Sequence, residues 1–161
     1  MKYLISCVIV IISSLIGFSI SGEYVKKYKF YKNLCSFLTH LKINISYNNV
    51  FLKQSFCQYE SEKWFCEFLE NIYRCIENNG EFVKVLDNLG LRLKEDEKNE
   101  IIRFFNMLGK SDNATQQEMI EGNLILFNNR LAIAEEAKNK NSNVYSKLGV
   151  GFGVIIALVV V

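Results

Sequence analysis

The chain has 161 residues, half of them apolar, with no proline, nine glycines and a formal net charge of +2. From Glu23 onward 18 basic residues stand against 17 acidic ones, so the concentrated basic surface that a nucleic-acid partner demands is missing. A single histidine, five cysteines without a C-x-x-C pair and the absence of any phosphate-cradling glycine motif outside the apolar C-terminal stretch point away from catalysis, cofactors, metals and small-molecule substrates.

The first element is apolar. Tyr3 to Ile20 carries no charge over eighteen residues, a helix of about 27 Å and close to the thickness of a bilayer's hydrocarbon. A cleaved signal sequence is the competing reading, with Ser19-Ile20-Ser21 as the cleavage site, but its apolar core is usually shorter. Residues 1–22 are therefore expected to form an N-terminal transmembrane segment. The chain ends similarly. Leu148 to Val161 is uncharged, and adding Val144 to Lys147, with the lysine snorkelling to the interface, again gives a span of about 27 Å. Residues 144–161 are the expected second anchor, and Gly149 and Gly153 form a G-x-x-x-G pattern that permits close helix packing within it. Lys26, Lys27, Lys29 and Lys32 follow the first segment, and Lys138, Lys140 and Lys147 precede or open the second. The positive-inside rule then places residues 23–143 in the cytosol and both termini outside. An odd number of cysteines, read as small buried hydrophobes kept reduced, agrees with that side.

Between the anchors the apolar spacing is helical throughout. Leu34, Phe37, Leu38, Leu41 and Ile45 mark a first helix, continuous with the membrane segment unless bent at Gly22, and interrupted by Asn48-Asn49. A short helix follows over Val50 to Gln58. Ser61 is the expected N-cap of the next, which buries Trp64, Phe65, Phe68, Leu69, Ile72 and Ile76 and stops at Asn78-Asn79-Gly80, with Gly80 as its left-handed end residue. Phe82, Val85, Leu86 and Leu89 form a stripe ended by Gly90. Glu95, Asp96 and Glu97 favour a helix start; with Glu100 they read as a solvated first turn rather than a hard-cation site. Ile101, Phe104, Phe105 and Leu108 give that helix its core face, and Gly109 ends it. Ser111, Asp112 or Asn113 caps the last helix, Asn113 pairing with Gln116 as a capping box and Asp112 being equally able to cap. Met119, Ile120, Leu124, Phe127, Leu131 and Ala134 then mark a long face that runs toward the second anchor. The fold class is all-α: a cytosolic bundle of about five to six helices flanked by transmembrane helices.

Chemistry is hard to place on these helices. His40 has neither a second imidazole nor an adjacent nucleophile. Six lysines and one acid between Glu23 and Lys53, and eleven acids against six bases between Glu60 and Glu100, read as solvated faces, or as a basic face near lipid and an acidic one offered to a basic partner. The most informative stretch is Leu108-Gly109-Lys110-Ser111-Asp112 with Gln116, read as a sharp helix-to-helix turn or as a docking site.

The run LGKSDNATQQEMI from Leu108, then Leu131, Ala137 and Tyr145-Ser-Lys-Leu148-Gly149 before an apolar terminus, resembles stage III sporulation protein AB. Leu15-Ile16-Gly17-Phe18 in the first segment and Tyr47 followed by Phe51-Leu52 match as well, although that family often has proline where this chain has Val50. The resemblance covers nearly the whole chain and is most specific in its last third. It implies a non-enzymatic scaffold in the mother-cell membrane around the forespore, part of the secretion-like channel between the two cells. The soluble domain would be similar to the helical cytoplasmic domains of type II secretion and type IV pilus platform proteins. Its expected partners are a secretion-type ATPase of the stage III sporulation protein AA kind, other channel membrane subunits and membrane lipid. Gly109, Asp112 and Gln116 carry over as the shared turn, and with Lys110 they are the candidate docking residues. The alternative role is an oligomer whose glycine-rich spans help to line the pore.

Overall fold

The computed structural model describes residues 2–45, 52–78 and 80–142, with 144, 147, 148 and 155 beyond them; the side chains of 2–10, 13, 14, 16, 17 and 142 are not described. Six α-helices are present among these residues, and no strand: α1 (Lys2–Ile43), α2 (Leu52–Cys57), α3 (Lys63–Asn78), α4 (Phe82–Asp87), α5 (Glu95–Met107) and α6 (Asn113–Ala137), followed by a π-helical turn at Lys138–Ser142. They divide into two compact units, Lys29–Leu131 and the pair Met1–Tyr28 with Ala132–Val161.

The larger unit is built on the predicted stripes. Phe30, Tyr31, Leu34, Phe37, Leu38 and Leu41 of α1 are fully buried, as are Phe65 and Ile72 of α3, Ile101 of α5, and Ile120 and Phe127 of α6. Aromatic side chains fill the space between these helices in edge-to-face pairs. Phe30 lies 5.5 Å from Phe68, Phe37 lies 4.8 Å from Phe56, and Phe104 lies 5.9 Å from Phe127 between ring centroids. Such pairs contribute about 0.5–1.5 kcal/mol each beyond the area they bury.

Polar groups fix the ends and the register. At α5 the Lys94 backbone N–H donates to Glu97 Oε2 (2.8 Å), and Glu97 is buried. The acids that follow meet a cation from within the chain. Arg130 of α6 donates through Nε to Glu100 Oε2 (3.0 Å) and through Nη2 to Glu100 Oε1 (2.7 Å) and Asp96 Oδ2 (3.0 Å). This fork ties α6 to α5 in a geometry a lysine cannot reproduce. Burial, then the Glu97 carboxylate, pushes the Tyr31 phenol far above its ordinary value, so this side chain stays neutral in the core.

Several local expectations shift. α3 starts at Lys63, and the Glu62 carbonyl accepts the first helical bonds from Phe65 and Cys66 (2.8 and 3.1 Å), so Glu62 rather than Ser61 occupies the cap position. The Glu62 carboxylate is held by the Trp64 indole (2.9 Å) and Lys29 Nζ (3.1 Å), which fixes the chain one residue later and lowers the carboxyl's pKa. Trp64 is thereby kept at the edge of the core, half-buried, and Ile76 is half-buried too. Gly80 donates its N–H to the Cys75 carbonyl (2.9 Å), but among the described residues the left-handed glycines are Gly90 and Gly109. Space is tight at position 80 for another reason: a Cβ there would sit 3.2 Å from Cys75 Cα. α2 ends at Cys57, one residue before the expected end, and Tyr47, Asn48, Asn49, Val50 and Phe51 lie outside the described residues. Among the described cysteines only Cys35 behaves as a small buried hydrophobe; Cys57 is exposed, and Cys66 and Cys75 are half-buried.

In the smaller unit Ile11, Ile12, Leu15 and Phe18 are each more than half exposed, 52–63%. Ser21 and Ala134 are buried there, and Lys138 Nζ lies 3.9 Å from the centre of the Tyr28 ring. α1 passes through Gly22 without a break. Among the described residues no helix is long and apolar enough to cross a membrane. The described side chains of α1 begin only at Ile11, and the expected second anchor, with Gly149 and Gly153, lies outside the described residues but for four positions.

Candidate functional site

The turn between α5 and α6 is shaped by backbone conformation first. Gly109 has φ +80°, where a side chain is strained, and a Cβ there would lie 3.2 Å from Leu52 Cδ2 of α2. The Lys110 N–H then reaches back to the Met107 carbonyl (3.3 Å). Asp112, not Asn113, is the cap of α6. Its Oδ1 accepts the Thr115 N–H (2.9 Å), its Oδ2 accepts the Thr115 hydroxyl (3.0 Å), and its carbonyl accepts the Gln116 N–H (2.9 Å). These bonds to Thr115 hold the Asp112 carboxyl below its usual pKa. Gln116 is buried, and its amide donates to the Ser111 carbonyl (2.9 Å).

The four residues singled out from sequence thus divide. Gly109, Asp112 and Gln116 spend their conformation and hydrogen bonds on the turn itself. Lys110 is exposed and lines a cavity of about 180 Å³ floored by Phe82, Phe105 and Leu108. The turn carries no paired acid, base or nucleophile.

A polar cluster that sequence reading treated as one lone histidine lies elsewhere in the same unit. Asn44 Nδ2 donates to Ser55 Oγ (3.2 Å) and meets His40 Nε2 at 3.3 Å, while the Tyr59 ring lies 5.4 Å from the imidazole. The Ser55 hydroxyl faces Asn44 rather than the imidazole, so no nucleophile–base pair forms. Burial lowers the His40 pKa, and its Nδ1 is enclosed without a hydrogen-bond partner. The neutral ring is therefore the folded form. Protonation of Nε2 would set donor against donor at Asn44. As pH falls below about 6.5 the unfolded chain takes up the proton first, so this contribution to stability is present at neutral pH and lost on acidification. Urea unfolding at pH 7.5 and 5.0 checks this: His40→Gln should lose less stability over that interval than the parent chain.

The family model of stage III sporulation protein AB matches residues 2–161. None of the curated proteins and none of the solved structures compared with the chain matches it.

Proposed function

The chain belongs to the stage III sporulation protein AB family, and from that premise we propose that it is a non-enzymatic membrane scaffold of the secretion-like channel between mother cell and forespore. In this reading 1–22 and 144–161 anchor the chain, the helices between them face the cytosol, and a secretion-type ATPase of the stage III sporulation protein AA kind docks there. The match over essentially the whole chain is the observation that carries the reading. The apolar side chains left exposed at Ile11, Ile12, Leu15 and Phe18 support an anchor, because an uncharged helical surface of that kind calls for lipid or a partner. The lysines flanking each end support the orientation. The turn at Gly109 to Gln116, rigidly capped with one outward lysine, supports a docking point. A rigid bundle held at both ends could transmit or resist an ATPase's movement without chemistry of its own.

Co-purification tests it. The full chain in a mild uncharged detergent should retain the purified ATPase on a resin, and Lys110→Glu should weaken retention while helicity by circular dichroism stays the same. Failure of the folded parent chain to retain the ATPase would remove the docking role.

A further inference from the structure

Two cavities meet at Cys75 and Gly80 in the larger unit. The smaller, about 180 Å³, lies between the end of α3, the start of α4 and the end of α5; the larger, about 360 Å³, lies between α3 and α4. Neither is lined by a carboxylate, although Glu60 to Glu100 holds eleven acids. The charged residues on their walls are Arg74, Lys84 and Lys110, and the polar remainder is carboxamide: Asn71, Asn78 and Asn88 on the larger cavity, Asn106 on the smaller.

From this lining we infer that the two cavities form one binding groove for an extended acidic peptide segment of a partner protein. The cations are spread along the groove, one on the smaller cavity and two on the larger, which suits carboxylates carried at intervals on a chain. A single small anion needs donors that converge on one point. Carboxamides offer a donor and an acceptor together, the pattern a peptide main chain satisfies and an inorganic anion does not. Phe82, Phe105 and Leu108 floor the smaller cavity, which can take one short apolar side chain between the acids. Arg74 and Lys84 are each paired with a neighbour on their own helix or its cap, Glu70 at 3.9 Å and Glu81 at 2.9 Å, but with these side chains 68–76% exposed. Exposed pairs of this kind hold weakly, so an incoming carboxylate can replace them. Cys75 and Gly80 line both cavities and so join them.

The inference deepens the docking reading above, since Lys110 belongs to both, and it is tested with a synthetic peptide so that either can fail alone. The full chain in uncharged detergent is titrated against a fluorescein-labelled peptide of glutamate, serine and leucine repeats, read by anisotropy, with a lysine-for-glutamate peptide as the control. The acidic peptide should bind and the lysine peptide should not. The double variant Lys84→Glu with Lys110→Glu should weaken binding by about tenfold or more. The double variant Lys53→Glu with Lys63→Glu makes the same change of net charge on exposed residues outside the groove, and should bind as the parent does. No binding by the parent chain, equal weakening in the two variants, equal binding of the lysine peptide, or displacement of the peptide by millimolar inorganic phosphate would each overturn the groove. A chain that holds the ATPase but not the peptide loses only the groove; one that binds the peptide but not the ATPase loses only that partner.

Discussion

Phe65→Ala should lower the unfolding free energy of the full chain by about 3–5 kcal/mol, the range for emptying a phenylalanine site in a packed core. Phe65 has no exposed surface. Its ring lies 5.5 Å from Phe68, 6.2 Å from Phe30 and 6.2 Å from Tyr59, so it joins α3 to α1 and to the segment before α3. Rings packed against each other from several helices cannot close over a missing one without losing their edge-to-face geometry. Chemical unfolding followed by the fluorescence of Trp64 reads the change, because the sole tryptophan lies 5.5 Å from Phe65. A loss under about 1 kcal/mol would mean that the site collapses freely and that the aromatic cluster is not the centre of the unit.

Gly109→Val is expected to have the second largest effect, a loss of about 2–3 kcal/mol, because a β-branched side chain is a severe outlier at φ +80°. The contact with Leu52 is a lesser part, since the end of a leucine side chain can move by a few tenths of an ångström. Gly122 is the control. It lies inside α6, it is not among the positive-φ glycines, and nothing lies within 4 Å of a Cβ built there. Gly122→Ala should therefore stabilise the chain by about 0.5–1 kcal/mol. The two substitutions, compared by the midpoint of urea unfolding, separate a conformational demand for glycine from mere absence of a side chain. Equal effects would contradict the left-handed turn before α6.

Much of the helical architecture can be read in the residues because burial follows the 3.6 period closely. The spacing of Leu34, Phe37, Leu38 and Leu41, and of Phe65, Phe68, Leu69 and Ile72, marks faces that are buried in the folded chain. The pattern weakens where apolar residues stand on both sides of a helix. In α6 Ile120 and Phe127 are buried as their stripe predicts, while Ile125 and Ile133, apolar but off that stripe, are 67% and 59% exposed. Caps are ambiguous by one residue because Ser61 and Glu62, or Asp112 and Asn113, can each accept the first amide bonds, and tertiary ties decide. Lys29 and Trp64 fix Glu62, and Thr115 fixes Asp112. The turn at Gly109 is legible since glycine before a capping acid has few other uses. The groove is not. Asn71, Arg74 and Asn78 share a face of α3, a visible spacing, but nothing in sequence says that Lys84, Asn88, Asn106 and Lys110 are brought to the same place by short links.

The claim on which the scaffold reading depends is that the helical domain stands on the cytosolic side of a membrane. Cys57 supplies a native reporter, exposed at the end of α2. Right-side-out membrane vesicles carrying the full chain are treated with a membrane-impermeant maleimide, and the peptide containing Cys57 is read by mass spectrometry. The account predicts no modification in intact vesicles and full modification once they are opened with detergent. Modification of Cys57 in intact vesicles would place the domain on the opposite face, away from any cytosolic ATPase; recovery of the chain in the soluble fraction would remove the anchors.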